Sequence, residues 1–170
     1  NANFFGHPLM DDFKKYKPKK IESKQPIISI LPGSRKQEIS KILAKVLKIC
    51  KYFPDFRFII AGVNHIDEKT YQKILSDNNS NVEVVYDRTY EIINSSKLSI
   101  VTSGTATLET ALLNTPQIVC YVTSPLNILL AKLFVKIKFI SLVNLICKKE
   151  VIKEFIPVSY THLTLPTKEG

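Results

Sequence analysis

Short apolar runs alternate with amphipathic stretches along most of this chain. Ile27–Leu31 is the kind of apolar run found in a strand that is buried on both faces of a parallel sheet. Similar runs predict further strands at Phe56–Ala61, Val82–Tyr86, Leu98–Thr102 and Gln117–Val122. The spacing between these runs leaves room for one helix after each strand.

The stretches between the strands have apolar residues at helical spacing. The clearest helix is predicted to begin at Ser34, with Gln37 as its capping-box partner, and to end before Pro54. Shorter helices are predicted at 67–77, 88–96, 105–113, 126–137 and 149–156. This alternation predicts an α/β fold, a doubly wound Rossmann-like parallel sheet with right-handed crossovers.

Composition divides the chain into three parts. Residues 1–25 are rich in Lys and Pro and predict an exposed connector, and a start at Asn1 predicts that the chain begins inside a longer protein. Residues 26–156 carry the alternating pattern and form the predicted binding domain. Residues 157–167 contain no Lys and resemble a translated transposase adapter, so we expect 157–170 to be a non-native tail. A final strand is the alternative, because Thr, Tyr and Leu alternate there.

The net charge of +9 comes almost entirely from Lys, since the arginines are Arg35, Arg57 and Arg88. A basic chain can bind nucleic acid, an anionic membrane or a phosphorylated substrate. Nucleic-acid readers cluster Arg forks with aromatic residues, whereas Lys is spread along this sequence, so we expect no nucleic-acid partner. The three cysteines lack CxxC spacing, which favours a reducing compartment without disulfides or zinc. The uncharged stretch between Glu109 and Lys132 contains prolines and polar residues and does not predict a membrane span.

Two loops at strand ends carry candidate chemistry. After the first strand, Gly33 and Ser34 lead into a helix whose free amides and dipole attract anions, and Arg35 adds a bidentate phosphate contact. The alternative is an ordinary turn with a surface Arg. In the second loop, Ser103, Gly104 and Thr105 again open a helix.

Glu109 follows Thr105 by about one helical turn, so both side chains can face the mouth of the sheet. A carboxylate suits a ribose diol because it can accept from two hydroxyls. The alternative is a helix cap followed by a solvated Glu. Together the two loops predict a nucleoside diphosphate site, since ligands of parallel sheets bind beyond the carboxyl ends of strands. No GxxxxGK[ST] or GxGxxG motif is present, which disfavours ATP hydrolysis and dinucleotide chemistry, and no cofactor or metal is expected.

Four motifs stand in the order seen in the lipid-A-disaccharide synthase family, which this chain resembles from about residue 5 to Ile156. They are FGHPL at 5–9, LPGSR with EI at 31–39, SGTATLE at 103–109, and LAK through ISLVNL at 130–145. The resemblance implies the nucleotide-sugar half of a two-domain, inverting GT-B glycosyltransferase. Such an enzyme transfers 2,3-diacylglucosamine from UDP-2,3-diacylglucosamine to 2,3-diacylglucosamine 1-phosphate. It also implies a missing N-terminal domain that holds the general base, and a cytoplasmic enzyme on the inner membrane of a Gram-negative-type bacterium.

The resemblance assigns roles residue by residue. Arg35 would neutralise the UDP diphosphate and help the leaving group depart. Phosphate oxygens would be held by Ser103, Gly104 and Thr105, together with the Gly33–Ser34 turn. Glu109 would bind ribose.

Two further positions follow from the resemblance. Asn144 matches the Asn of a Leu-Pro-Asn segment that contacts the donor, although Val143 stands where the family has Pro. His7 lies at the interdomain crossover, where a catalytic role or a structural turn are both open. The Gln that the family has soon after Ile156 is missing.

The stretch 126–146 is strongly apolar and interleaved with Lys132, Lys136 and Lys138. It predicts either a core helix plus strand or a face that meets acyl chains and anionic headgroups of a membrane surface. Two rival functions remain: another UDP-sugar GT-B enzyme, such as a 2-epimerase or a GlcNAc transferase, and a non-catalytic basic module that binds lipid or polyanions.

Overall fold

The structure is a computed structural model that describes residues 18–102, 104–121 and 141–155. From residue 27 to residue 120, strands and helices alternate as predicted. The strands are β1 Ile27–Leu31, β2 Arg57–Gly62, β3 Glu83–Tyr86, β4 Ser96–Val101, β5 Gln117–Cys120 and β6 Lys153–Phe155. The helices are α1 Lys36–Cys50, α2 Glu68–Asp77, α3 Thr89–Ser95, α4 Gly104–Leu112 and α5 Leu142–Cys147.

These strands form one parallel sheet in the order β3-β2-β1-β4-β5-β6. The order confirms the predicted doubly wound, Rossmann-like α/β fold. The chain builds the sheet outward in one direction from β1 and then in the other direction from β4, so the winding reverses between these two neighbours. The crevice beyond the carboxyl ends of β1 and β4 is therefore where such a sheet binds ligands.

The core lies on both faces of the sheet because neighbouring residues of a strand point to opposite sides. In β1, Ile28 and Ile30 join the cluster under α1 and α2, whereas Ile27 and Leu31 join the cluster on the other face. The first cluster is completed by Ile39, Ile42, Leu43, Val46, Leu47, Phe58, Ile60, Ile66, Tyr71 and Ile74. Ile59, Ala61, Ile92, Ile93 and Val101 complete the second. Burial on both faces explains why the strand sequences are nearly continuous apolar runs.

Helix α1 begins two residues later than predicted. Arg35 is its N-cap in an extended conformation, and the Arg35 side chain makes no capping hydrogen bond. The predicted capping box of Ser34 and Gln37 is therefore wrong. The turn after β1 places Gly33 in the left-handed region, with φ of +92°, and extends through Ser34, so that Ser34 lies outside the cap position.

The predicted helix at 149–156 is also wrong. Helix α5 ends before Lys148, which has a left-handed φ of 52°, and the chain then returns to the sheet as β6. This short strand pairs in parallel with β5, where Phe155 lies opposite Cys120. Pairing with the edge of the sheet satisfies the backbone hydrogen-bonding groups of this segment. This is a long-range interaction, which the spacing of residues in the sequence does not show.

Several sequence predictions fall on residues that the structure does not describe. They are the connector before residue 18, the helix at 126–137, Val122 at the end of its predicted strand, and the tail from 157 onward. In the described ranges, no helix combines the length and apolar content that a membrane crossing requires.

Candidate functional site

The two predicted loops meet at the carboxyl edge of the sheet. Thr102, directly after β4, donates its backbone N–H to the carbonyl oxygen of Leu31 at 3.1 Å and its hydroxyl to the same oxygen at 3.0 Å. This double hydrogen bond ties the end of β4 to the end of β1. Helices α1 and α4 begin from the two joined loops, so their N-termini start at the same crevice.

Gly33 allows the first loop to lie close to the second. Its φ of +92° suits glycine, and a Cβ at this position would lie 3.1 Å from the Thr102 hydroxyl oxygen. A larger residue would therefore push the two loops apart. The bare backbone at Gly33 leaves room for an anionic ligand to approach closely.

Arg35 lies at the start of α1 with its side chain 80% exposed. Its guanidinium donates to the Glu38 carboxylate at 2.9 Å, one helical turn away. An exposed pair of this kind contributes at most about 1 kcal/mol. Arg35 can therefore exchange Glu38 for a phosphate at little cost in free energy.

His65 contacts the same loop, a contact that the sequence analysis did not predict. Its Nε2 lies 2.7 Å from the carbonyl oxygen of Ser34, so a proton on Nε2 would make it the donor. His65 is exposed and follows β2, which is the neighbour of β1. The available signal was its position just beyond the carboxyl end of a strand, where binding residues collect.

The second loop continues into α4. Gly104 is the first residue of this helix, and Thr105 is exposed beside it. Thr107 is buried and donates its hydroxyl back to the Gly104 carbonyl, which holds the first turn together. Ser103 and His7 lie outside the described residues.

Glu109 is half-buried on α4 and accepts a hydrogen bond from the Tyr90 hydroxyl at 3.2 Å. Burial raises the pKa of the Glu109 carboxyl above its usual value, and the hydrogen bond from Tyr90 opposes this shift. Tyr90 comes from α3, the helix that connects β3 to β4. The sequence reasoning also missed Tyr90, because nothing in a local motif links it to Glu109.

Asn144 is fully buried on α5, and its amide is fully occupied by the chain itself. Its Nδ2 donates to the Ile152 carbonyl and to Glu154, each at 2.8 Å, and its Oδ1 accepts from the amides of Val151 and Ile152. An Asn side chain has two donor hydrogens and two acceptor lone pairs, so none remains here for a ligand. Asn144 was predicted to contact the donor substrate directly. In the structure its amide instead joins α5 to residues 151–154.

A separate open groove of about 370 Å³ lies at the opposite, amino-terminal edge of the sheet. It is lined by residues that include Phe53, Phe56 and the ion pair of Arg57 with Glu83. None of the predicted site residues that the structure describes lines this groove. Among the described residues, no group of three His, Cys, Asp or Glu side chains is arranged to hold a metal ion.

A sequence model of the family described as Lipid-A-disaccharide synthetase matches residues 1–167 of this chain. The chain belongs to this family. Among curated members of the lipid-A-disaccharide synthase group, the protein of Syntrophus aciditrophicus (strain SB) is 32% identical over 169 residues, which is 92% of this chain and 44% of that protein. The protein of Blochmanniella pennsylvanica (strain BPEN) is 34% identical over 168 residues, covering 91% and 43% respectively. This family member therefore spans less than half the length of the curated relatives that it matches.

Two solved structures are among those similar to this lipid-A-disaccharide synthetase family member. The UDP-GlcNAc 2-epimerase from Neisseria meningitidis bound to UDP-GlcNAc has a TM-score of 0.46 and 20% identity, over 65% of this chain and 31% of that chain. The E. coli ADP-heptose lps heptosyltransferase II has a TM-score of 0.43 and 19% identity, over 62% of this chain and 35% of that chain.

Proposed function

We propose that residues 26–156 form the UDP-sugar-binding half of a GT-B glycosyltransferase that makes the lipid A disaccharide. The donor would be UDP-2,3-diacylglucosamine and the acceptor 2,3-diacylglucosamine 1-phosphate. Family membership supports the reaction class. The observation that carries the binding site is the hydrogen-bonded junction of Thr102 with Leu31, which brings two helix N-termini to one crevice.

The diphosphate would lie between the two loops. Gly33 and Ser34 would approach it through their backbone, and Gly104 and Thr105 would donate from the start of α4. Arg35 would leave Glu38 and neutralise the charge that develops on the diphosphate as UDP departs. A diphosphate carries more charge than one exposed carboxylate, which favours this exchange.

The ribose would bind at Glu109, whose carboxylate accepts hydroxyl hydrogen bonds. Asn144 would act indirectly, because it holds residues 151–154 in place against α5. Helix α5 packs on α4, the helix that carries Glu109. We expect no turnover from this chain alone, because in our proposal the acceptor site and the general base belong to another domain.

We also propose that the chain meets an anionic membrane surface through the end of the 126–146 stretch. Within its described part, Leu145 and Ile146 on α5 are exposed apolar side chains, and Lys148 and Lys149 follow them on the surface. Apolar side chains beside lysines suit the boundary between acyl chains and anionic headgroups. A diacylated substrate would be presented at such a boundary.

The diphosphate site is tested by titration calorimetry of the 170-residue chain with UDP. Arg35→Ala should abolish binding, whereas Arg57→Ala, at the opposite edge of the sheet, should leave it unchanged. UDP binding that survives Arg35→Ala would refute the site. Steep salt dependence with no preference for UDP over other polyanions would favour the basic-module function instead.

The ribose assignment is tested with Glu109→Ala. We expect this variant to lose affinity for UDP while it keeps its affinity for inorganic pyrophosphate, which has no ribose. Equal losses for the two ligands would contradict the assignment. A far-ultraviolet circular dichroism spectrum that matches the unmodified chain confirms that the variant is folded.

The membrane surface is tested by sedimentation with vesicles of phosphatidylglycerol or of phosphatidylcholine. We expect binding to the anionic vesicles, and a loss of it in the double variant Leu145→Ser with Ile146→Ser. The matched control is Ile49→Ser, an exposed apolar residue at the end of α1. Equal binding of all variants would contradict the surface, and no binding to either vesicle would favour a UDP-sugar enzyme with a soluble substrate.

A further inference from the structure

Tyr90 and Glu109 come from different helices and meet at the carboxyl edge of the sheet. Tyr90 is in the first turn of α3, whereas Glu109 is in the second turn of α4. The Tyr90 ring packs against the apolar cluster that contains Ile93 and Val101, so its position is fixed by the core. From there its hydroxyl reaches Glu109 Oε1 at 3.2 Å.

This contact has two physical consequences for the carboxylate. A hydrogen bond to one oxygen fixes the rotation of the carboxylate plane, which otherwise turns freely about its terminal bond. The same bond favours the charged form of Glu109 in a half-buried environment that opposes charge. Both effects prepare the carboxylate to accept from ribose hydroxyls without reorganisation at the moment of binding.

We propose that Tyr90 is a positioning residue that sets the preference of this site for a ribonucleotide over a deoxyribonucleotide. The proposal rests on the assignment of Glu109 to the ribose in the proposed function. Tyr90 acts through Glu109 and not by touching the nucleotide. Removal of the Tyr90 hydroxyl should therefore reduce the preference for a ligand with a 2′-hydroxyl more than it reduces the affinity for the diphosphate.

The experiment compares UDP, 2′-deoxy-UDP and inorganic pyrophosphate by calorimetry on the 170-residue chain. We expect the unmodified chain to prefer UDP over 2′-deoxy-UDP by about tenfold, the value of one hydrogen bond to a charged acceptor. Tyr90→Phe, which keeps the ring, should reduce this preference to about twofold and leave pyrophosphate binding unchanged. Tyr52→Phe is the control, since Tyr52 is 81% exposed beyond α1 at the other edge of the sheet.

Each other result overturns the proposal in a recognisable way. An unchanged preference in Tyr90→Phe, with a lost preference in Glu109→Ala, would leave the ribose site intact and remove the role of Tyr90. A parallel loss of all three ligands in Tyr90→Phe would show that Tyr90 only supports the fold of the site. Absence of UDP binding by the unmodified chain would overturn the proposed function itself.

Discussion

Thr102 and Leu31 form the junction on which the candidate site depends. Both the N–H and the hydroxyl of Thr102 bind one carbonyl oxygen of Leu31, at 3.1 and 3.0 Å. The carbonyl at the end of β1 thus uses both of its lone pairs on the loop after β4. Two segments that lie about seventy residues apart in the chain are joined at the point where the sheet reverses its winding.

Replacing Thr102 with Val tests this junction, because Val keeps the shape of the side chain and removes its hydroxyl. We expect the free energy of unfolding to fall by about 1 kcal/mol, since the backbone hydrogen bond remains. UDP affinity should fall several-fold as the loops separate. Urea denaturation and calorimetry measure the two effects, and an unchanged affinity would contradict the role of the junction in binding.

Gly33→Ala should destabilise the chain by about 1–2 kcal/mol, because an L-residue at a φ of +92° is strained. The new methyl group would also lie 3.1 Å from the Thr102 hydroxyl. We therefore expect weaker pyrophosphate binding in addition to the lower stability. A variant that is destabilised but binds pyrophosphate normally would place the anion elsewhere.

Asn144→Asp should destabilise the chain by about 2–4 kcal/mol, although the two side chains have the same shape. The substitution removes the donor to Ile152 and brings a second carboxylate against Glu154. Hydrogen exchange should accelerate at the amides of Val151 and Ile152. The control is Asn114→Asp, which is exposed and has a left-handed φ that Asp tolerates. Equal stability of the two variants would contradict the structural role of Asn144.

Cys50 should make stability fall with rising pH above about 9. Burial raises the pKa of its thiol from 9.0 to about 11, so between these values the unfolded chain releases this proton and the folded chain keeps it. The folded state then binds more protons, and stability declines as the pH rises. Urea denaturation from pH 8.5 to 11 should show a shallower decline in Cys50→Ala. Identical slopes would contradict the burial of this thiol.

The sheet was predictable from the edge strand β3 through to β5, and not at the other edge, which is β6. β1 to β5 are apolar runs between turn residues. β1 has the predicted ends, and the ends of the other four strands differ from the prediction by at most two residues. β6 was missed because Lys153–Phe155 has neither the length nor the alternation of a strand. Its conformation comes from pairing with β5 and from Asn144, whose side-chain oxygen accepts hydrogen bonds from the backbone amides of Val151 and Ile152, just before the strand.

The residues of the candidate site also fall into a predictable and an unpredicted group. Gly33, Arg35 and Glu109 stand in motifs that can be read locally, because strand ends and helix starts collect binding residues in this fold. Tyr90 and His65 have no such motif. They reach the site because the sheet order places their segments beside it. The position of His65 just beyond the carboxyl end of β2 was the one signal that the sequence offered, and nothing comparable pointed to Tyr90.

The sequence by itself determined the alternation of strands and helices, the parallel sheet, and the residue types offered at the strand ends, because these follow from local hydrophobic periodicity. Only the tertiary structure decided which loops touch and that the Tyr90 hydroxyl donates to Glu109. It also decided that the side-chain amide of Asn144 makes all of its hydrogen bonds within this chain. Such contacts depend on strand order and on burial. Both are set by the packing of segments distant in sequence, and that packing leaves no short-range pattern.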